Sequence, residues 1–392
     1  MISTIRNAFP KNNVELIFLV LVFFPAFVPF LTSFKLLGGL SWGGFFLAAV
    51  SVVCFIFFVC RPFLPRAGLF SVIFLLMLVT YNFFYLIYVR SSDVSILLWP
   101  SFFLSVVIFS KYGMGLVDRF LVGRAFDISF LFFLVYSAYC VVNFGHAPAV
   151  ALAGFFYFSY YLSVSSIRRY FSVFALFSIF FVHLGLGARV AIITDFILLF
   201  MFLVCYRRGF SLKGLLSFLI FVFFVYFVFH QYIFELDAIK KSMGGDSGLS
   251  FMGVGLNTSG RSFVWPIVFE SALDRPLLGH GAPLPEWLSQ KYQGWEHPHN
   301  DYLRLFHQTG VFGLFLWCLF SFLVLIFLYI KIRSRRYIND NSQWMVAGSL
   351  SLIGLLVSMF TDNPLAYSYV LLPCGLMIGL GMSQASLRRY TS

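Results

Sequence analysis

Between His297 and Gly313 the chain reads HPHNDYLRLFHQTGVFG. His297, His299, Asn300, Asp301 and Arg304 stand there immediately before a long apolar run. Ionisable groups are costly beside hydrocarbon, so such a cluster marks chemistry or gating. Asn300 is a good helix N-cap and Asp301 suits a first turn, which predicts a helix from Asn300 to Gly310. His299 then sits at a helix N-terminus, where the local field favours a neutral imidazole, the form a general base needs. The alternation of His297, His299 and Asp301 also raises a metal site, since two imidazoles and a carboxylate are a suitable ligand set. Asp301, however, should already be helical and point away from the two histidines. One catalytic histidine, His299, with no metal and no cofactor, is therefore the expectation.

Two arginines complete the constellation. Arg189 lies in HLGLGARVAIITDF, where an external turn is expected to enter a spanning helix, and Arg261 opens RSFVWPIVFESALDRPLLGHG. An arginine at that depth either snorkels or meets an anion, and its planar fork suits a phosphate. The segment after Arg261, with Trp265, predicts a short helix at the membrane interface. Asp274-Arg275-Pro276 should break it, and Gly279-His280-Gly281 should form a tight turn. Asp195 lies six residues beyond Arg189, an offset that does not put the two on one helix face. It reads as a structural pairing group whose partner the sequence does not name.

These residues need a membrane scaffold. The chain of 392 residues is 60% hydrophobic and 11% charged, with 55 phenylalanines, whereas soluble domains carry about 25% charged residues. Apolar runs at 15–34, 40–60, 68–89, 94–110, 125–145, 148–164, 169–185, 187–206, 211–232, 311–330, 344–361 and 365–386 each approach the ~20 residues that cross a bilayer. The fold expected is an all-α polytopic membrane protein of about twelve transmembrane helices. Its organisation would be N-terminal helices over 1–230, one large external loop with short helices over 231–310, and C-terminal helices over 311–392. With both termini cytoplasmic, most basic residues fall on the cytoplasmic side, among them Arg207, Arg208, Lys331, Arg333, Arg335, Arg336, Arg388 and Arg389. The net charge of +12 is thus a topology signal and a match to anionic lipid, not a nucleic-acid signature. The six cysteines lie in or beside apolar spans and imply neither a disulfide framework nor a thiolate metal site.

Set in this order, the motifs resemble those of the O-antigen ligase and polymerase superfamily of integral-membrane glycosyltransferases. Those ligases end their large periplasmic loop on His, then Asn, Ser or Gln, nine residues, and Gly-x-x-Gly. This chain has His299, Asn300, the nine residues Asp301 to Thr309, then Gly310 and Gly313. Gly260-Arg261, Trp265 and the turn Pro276-Leu277-Leu278-Gly279-His280-Gly281 are similar to further family features. Gly187-Ala188-Arg189-Val190 resembles the family's Ser-Arg-Gly turn without its Ser and Gly. The resemblance implies a GT-C-like fold and metal-independent inverting transfer from an undecaprenyl-diphosphate-linked glycan at the periplasmic face of a bacterial inner membrane. It casts His299 as general base, Arg189 and Arg261 as diphosphate ligands, and Asn300, Asp301, Trp265, His297, Gly310 and Gly313 as support. The acceptor would be lipid A–core for a ligase, or a second lipid-linked glycan for a polymerase. Polymerases often carry Arg-x10-Gly in two substantial loops; the single large loop here, and the lack of Gly eleven residues after Arg189, Arg261, Arg275 or Arg304, tilt the reading toward ligase. A transporter or flippase of lipid-linked sugars also needs arginines and about twelve helices. It has no use for a histidine at a loop-helix N-terminus, and the paired broken helices of transporters are not seen.

Overall fold

The computed structural model describes residues 119–144, 148–164, 169–186, 188–206, 250–251, 254–255, 261–281, 298–334, 342–360 and 362–386, with Phe102, Val106 and Ser110. The predicted spans 15–34, 40–60, 68–89 and 211–232, most of 94–110, the greater part of the predicted loop, and His297 lie outside the described residues. The helices are α1 (Arg119–Phe144), α2 (Pro148–Leu152), α3 (Gly154–Ser163), α4 (Arg169–Gly185) and α5 (Arg189–Met201), which runs into a π-helical turn, Phe202–Tyr206. After them come α6 (Arg261–Leu273), α7 (Asp301–Arg333), α8 (Gln343–Ser358), a 3-10 turn (Pro364–Ala366) and α9 (Ser368–Ser386). The regular structure among the described residues is thus all helical but for one small ladder, Ser250–Phe251 antiparallel to Val254–Gly255, within the predicted external loop.

Among the described residues two helices, α1 and α7, are long and apolar enough to cross a membrane. On α1 the buried face includes Phe126, Phe130, Phe133, Ser137 and Cys140, spaced by threes and fours, while Ile128, Leu131, Phe132, Val135, Tyr139 and Val142 form an equally apolar exposed stripe. In water that second stripe would be a severe liability; against lipid tails it costs nothing. The same two-sidedness recurs on α7, where Trp317, Phe320, Val324, Leu328 and Ile332 face inward and Phe315, Leu319, Phe322 and Ile330 outward.

All ten residues of α3 are buried, and α8 and α9 fill the centre beside it. Their backbones meet at glycines: a Cβ on Gly348 would stand 2.7 Å from Met377 O, and one on Gly381 2.8 Å from Trp344 O. Small residues permit such approach where hydrocarbon supplies no hydrophobic drive between helices. Phe126 stacks on Tyr160 with ring centroids 4.2 Å apart, and Trp344 packs against both.

Polar pairs then fix register. Asp195 finds its partner in His183, whose Nδ1–H donates to Asp195 Oδ2 at 2.6 Å with both side chains buried. A Cβ on Gly154 would collide with that imidazole, so the bare backbone of α3 seats it. On the next helical face Thr194 Oγ1 donates to Val190 O at 2.8 Å, leaving its lone pairs to accept from Ser358 Oγ at 3.3 Å. Helix α5, which begins at Arg189, is thereby pinned to both α4 and the end of α8. Replacing Asp195 with Ala strands the buried His183 N–H and should cost about 1–3 kcal/mol. Asp195→Asn, which keeps an acceptor, should cost less, as read by thermal unfolding in detergent.

Candidate active site

The candidate site is built where α7 begins. Asn300 is its N-cap, extended at φ −157°, with its side-chain oxygen accepting from Leu303 N at 3.0 Å. Asp301 follows in the first turn, fully buried. Its backbone N–H donates to Met359 O at 2.9 Å, and its Oδ2 accepts from Leu365 N at 2.7 Å. Its other oxygen stands 3.3 Å from Nη1 of the buried Arg304. Burying such a pair is expensive, and removing one partner typically costs about 3–5 kcal/mol. Asp301 therefore rivets the start of α7 to the segment between α8 and α9, at Met359 and at the 3-10 turn that holds Leu365.

That rivet brings His299 against residues the sequence reading passed over. His299 lies just outside the helix in a left-handed conformation, φ +49°, the one positive φ among the described non-glycine residues. Strain of that kind gathers at functional sites and is held by surrounding contacts. The contacts here are Asn300 and Asp301 on one side and Trp265 on the other, whose Nε1–H donates to Pro298 O at 2.7 Å. The imidazole is 34% exposed, and its Nδ1 lies 3.4 Å from Asp362 Oδ1 and 3.5 Å from Asn363 Nδ2. Asp362 Oδ1 also accepts from Asn363 N at 2.8 Å, which fixes the carboxylate. A carboxylate only accepts, so the Asp362 contact calls for a proton on Nδ1 and the lone pair on Nε2; in that tautomer the Asn363 amide, whose Nδ2 only donates, packs beside the ring without bonding it. The electrostatics around His299 are thus set by a carboxylate as well as by the helix end from which its neutrality was predicted.

Ten residues on, α7 breaks. Gly310 adopts φ +64°, ψ −172°, a region only glycine occupies readily. The break removes two helical bonds, from Val311 N to His307 O and from Phe312 N to Gln308 O, because helices bond residue i to i−4. The turn after α6 replaces all four orphaned groups. His280 N and Gly281 N each donate at 2.8 Å to His307 O and Gln308 O. Pro276 O and Leu277 O accept from Val311 N and Phe312 N at 2.8 and 3.3 Å. Side chains at Gly279 or Gly310 would drive the two backbones apart, and one at Gly313 would strike Thr309. His280 stacks on His307 with centroids 4.7 Å apart, and Ser271 bonds both rings.

The structure therefore joins Trp265, His299, Asn300 and Asp301 in one set of contacts and places Gly310 and Gly313 in the joint below. Arg189 and Arg261 each open a helix, α5 and α6, and Arg261 is half-buried. Asp362 and Asn363 were missed, although a signal existed: Asp-Asn-Pro interrupts two apolar spans on the face to which the predicted topology assigns His299. Residues 173–318 match the family model for O-antigen ligase. The match supports the resemblance to the O-antigen ligase and polymerase superfamily. The matched stretch runs from α4 into α7 and takes in Arg189, Arg261, His299, Gly310 and Gly313, while Asp362 lies beyond it. No curated protein matches the chain. At family level the match supports glycosyl transfer of the O-antigen ligase type by a membrane protein.

The joint predicts that Gly310→Ala, strained in φ and in collision with Leu277, loses about 1–3 kcal/mol. Gly313→Ala, which has only the Thr309 side chain to displace, should lose less. Thermal unfolding of the two variants in the same detergent tests the order.

Proposed function

We propose that the protein is an O-antigen ligase, transferring a polysaccharide from an undecaprenyl-diphosphate carrier onto lipid A–core at the periplasmic face of the inner membrane. Its topology in this reading is about twelve spans with both termini cytoplasmic, the segment 231–310 forming the periplasmic loop. The observation that best supports it is the strained His299 beside Asp362, on a helix riveted at its first turn. Asp362 holds the Nδ1 proton and orients the ring, so that Nε2 takes the proton of the acceptor hydroxyl. The freed oxygen attacks the anomeric carbon from the face opposite the leaving group, and the lipid diphosphate departs with inversion. Arg189 and Arg261 hold the diphosphate and stabilise its developing charge, so the charge on the leaving group is met without a divalent cation. Asn300 shapes the helix start, and Trp265 holds the strap at Pro298.

The ligase assignment over polymerase is supported by the ligase-type spacing from His299 to Gly313 and by the single dominant loop. A strain lacking the protein should make core-only lipopolysaccharide and accumulate lipid-linked polymer. Core capped by one repeat unit would make the protein a polymerase, and an unaltered ladder would assign it to another glycan.

In a reconstituted transfer assay, His299→Ala should lower the rate by roughly 10²- to 10⁴-fold with donor binding retained. Asp362→Asn should cost less and act on kcat more than on the donor KM. Near-normal transfer by a well-folded His299→Ala protein would end the general-base assignment. Arg189→Ala and Arg261→Ala should instead raise the donor concentration needed for half-maximal rate.

A further inference from the structure

The turn that fills the break in α7 carries a second feature. Leu277 and Leu278 are 72% and 59% exposed at its tip, unusual for adjacent leucines. They are not isolated. The backbone bonds from Val311 N to Pro276 O and from Phe312 N to Leu277 O set the turn level with Val311 and Phe312, themselves 51% and 47% exposed. From there the exposed stripe of α7 continues through Phe315, Leu319 and Phe322. On α6, Phe269 and Leu273, one turn apart and just before this turn, are exposed as well. Glu270, Asp274 and Arg275, all exposed, flank this patch, as polar residues do at the rim of a membrane-embedded surface.

We propose that Leu277 and Leu278 form a wedge inserted among the acyl chains of the outer leaflet of the bilayer, with α6 lying along its surface. The proposal rests on α7 spanning the membrane from Gly310 onward. The partner is the bilayer itself, because the patch is continuous with the stripe that a spanning α7 presents to lipid. The consequence is a fixed depth for the site. Nine residues of helix, Asp301 to Thr309, separate Asn300 from Gly310, and the wedge is level with Val311 and Phe312, so His299 stands roughly 15–20 Å from the wedge along α7. That spans the headgroup layer, about 5–8 Å thick on each side, and holds the imidazole where a lipid's diphosphate meets water.

The test places the photoreactive residue p-benzoylphenylalanine singly at Leu277, Val311 or Phe322 in the full chain in its native membrane. Irradiation is followed by mass spectrometry of the adducts. Phospholipid adducts at all three positions are expected. Phospholipid at Phe322 and Val311 with none at Leu277 would overturn the wedge while leaving the span intact. None at any position would overturn the spanning reading of α7 and the wedge with it. An isoprenoid diphosphate trapped at Leu277 would make the patch a donor-tail seat, and a cross-linked second copy would make it a subunit interface; either overturns the bilayer assignment.

Discussion

Where a helix breaks beside hydrocarbon, each backbone polar group it frees must find a partner, because no water is present to take them. The break at Gly310 frees two carbonyls and two amides, and the turn from Pro276 to Gly281 supplies two amides and two carbonyls in return. The rest of the site depends on that exchange. It lets one continuous helix become two segments with different surroundings: a lipid-facing lower part, and an upper part whose buried polar residues reach neighbouring elements. It also couples α6 to α7 through backbone, so the coupling does not depend on side-chain identity beyond the glycines that allow the approach.

Above the joint the rigidity comes from Asp301. Its backbone and its carboxylate both engage the segment after α8, and Arg304 meets the charge that burial would otherwise leave uncompensated. A buried ion pair is a poor source of net stability but a strict geometric constraint. Here the constraint sets the strap of Pro298 and His299 over Asp362. The left-handed backbone at His299 costs energy, which the bonds from Trp265, Asn300 and Asp301 offset. The result is a partly exposed imidazole held beside the Asp362 carboxylate.

Deeper in the bundle the same logic operates with fewer groups. His183 with Asp195, and Thr194 with Ser358, tie the helix beginning at Arg189 to α4 and to α8. Ser358 is four residues from Asp362, so the helix that starts with an arginine and the segment that carries the carboxylate are held in one register. Thr194 and Asp195 are neighbours in sequence and serve two different interfaces, which a helix permits because consecutive residues project about 100° apart.

Several parts of this were legible in the chain alone. Among the described residues, the apolar runs 125–145, 148–164, 169–185, 187–206, 311–330, 344–361 and 365–386 recur as helices in nearly the predicted places, since hydrophobic patterning is a local property of the chain. The cap at Asn300, the helix after Arg261 and the turn at Gly279-His280-Gly281 were equally readable, because capping and glycine conformations are local physics. The histidine-to-glycine spacing pointed to the family that the match to residues 173–318 supports. What sequence could not decide was pairing across distance. Asp195 could not name His183, and His299 could not name Asp362, sixty-three positions away. Nor could the glycines of two separate motifs be recognised as halves of one joint. A local pattern fixes which groups a segment leaves unsatisfied; only the packed bundle decides which distant groups satisfy them.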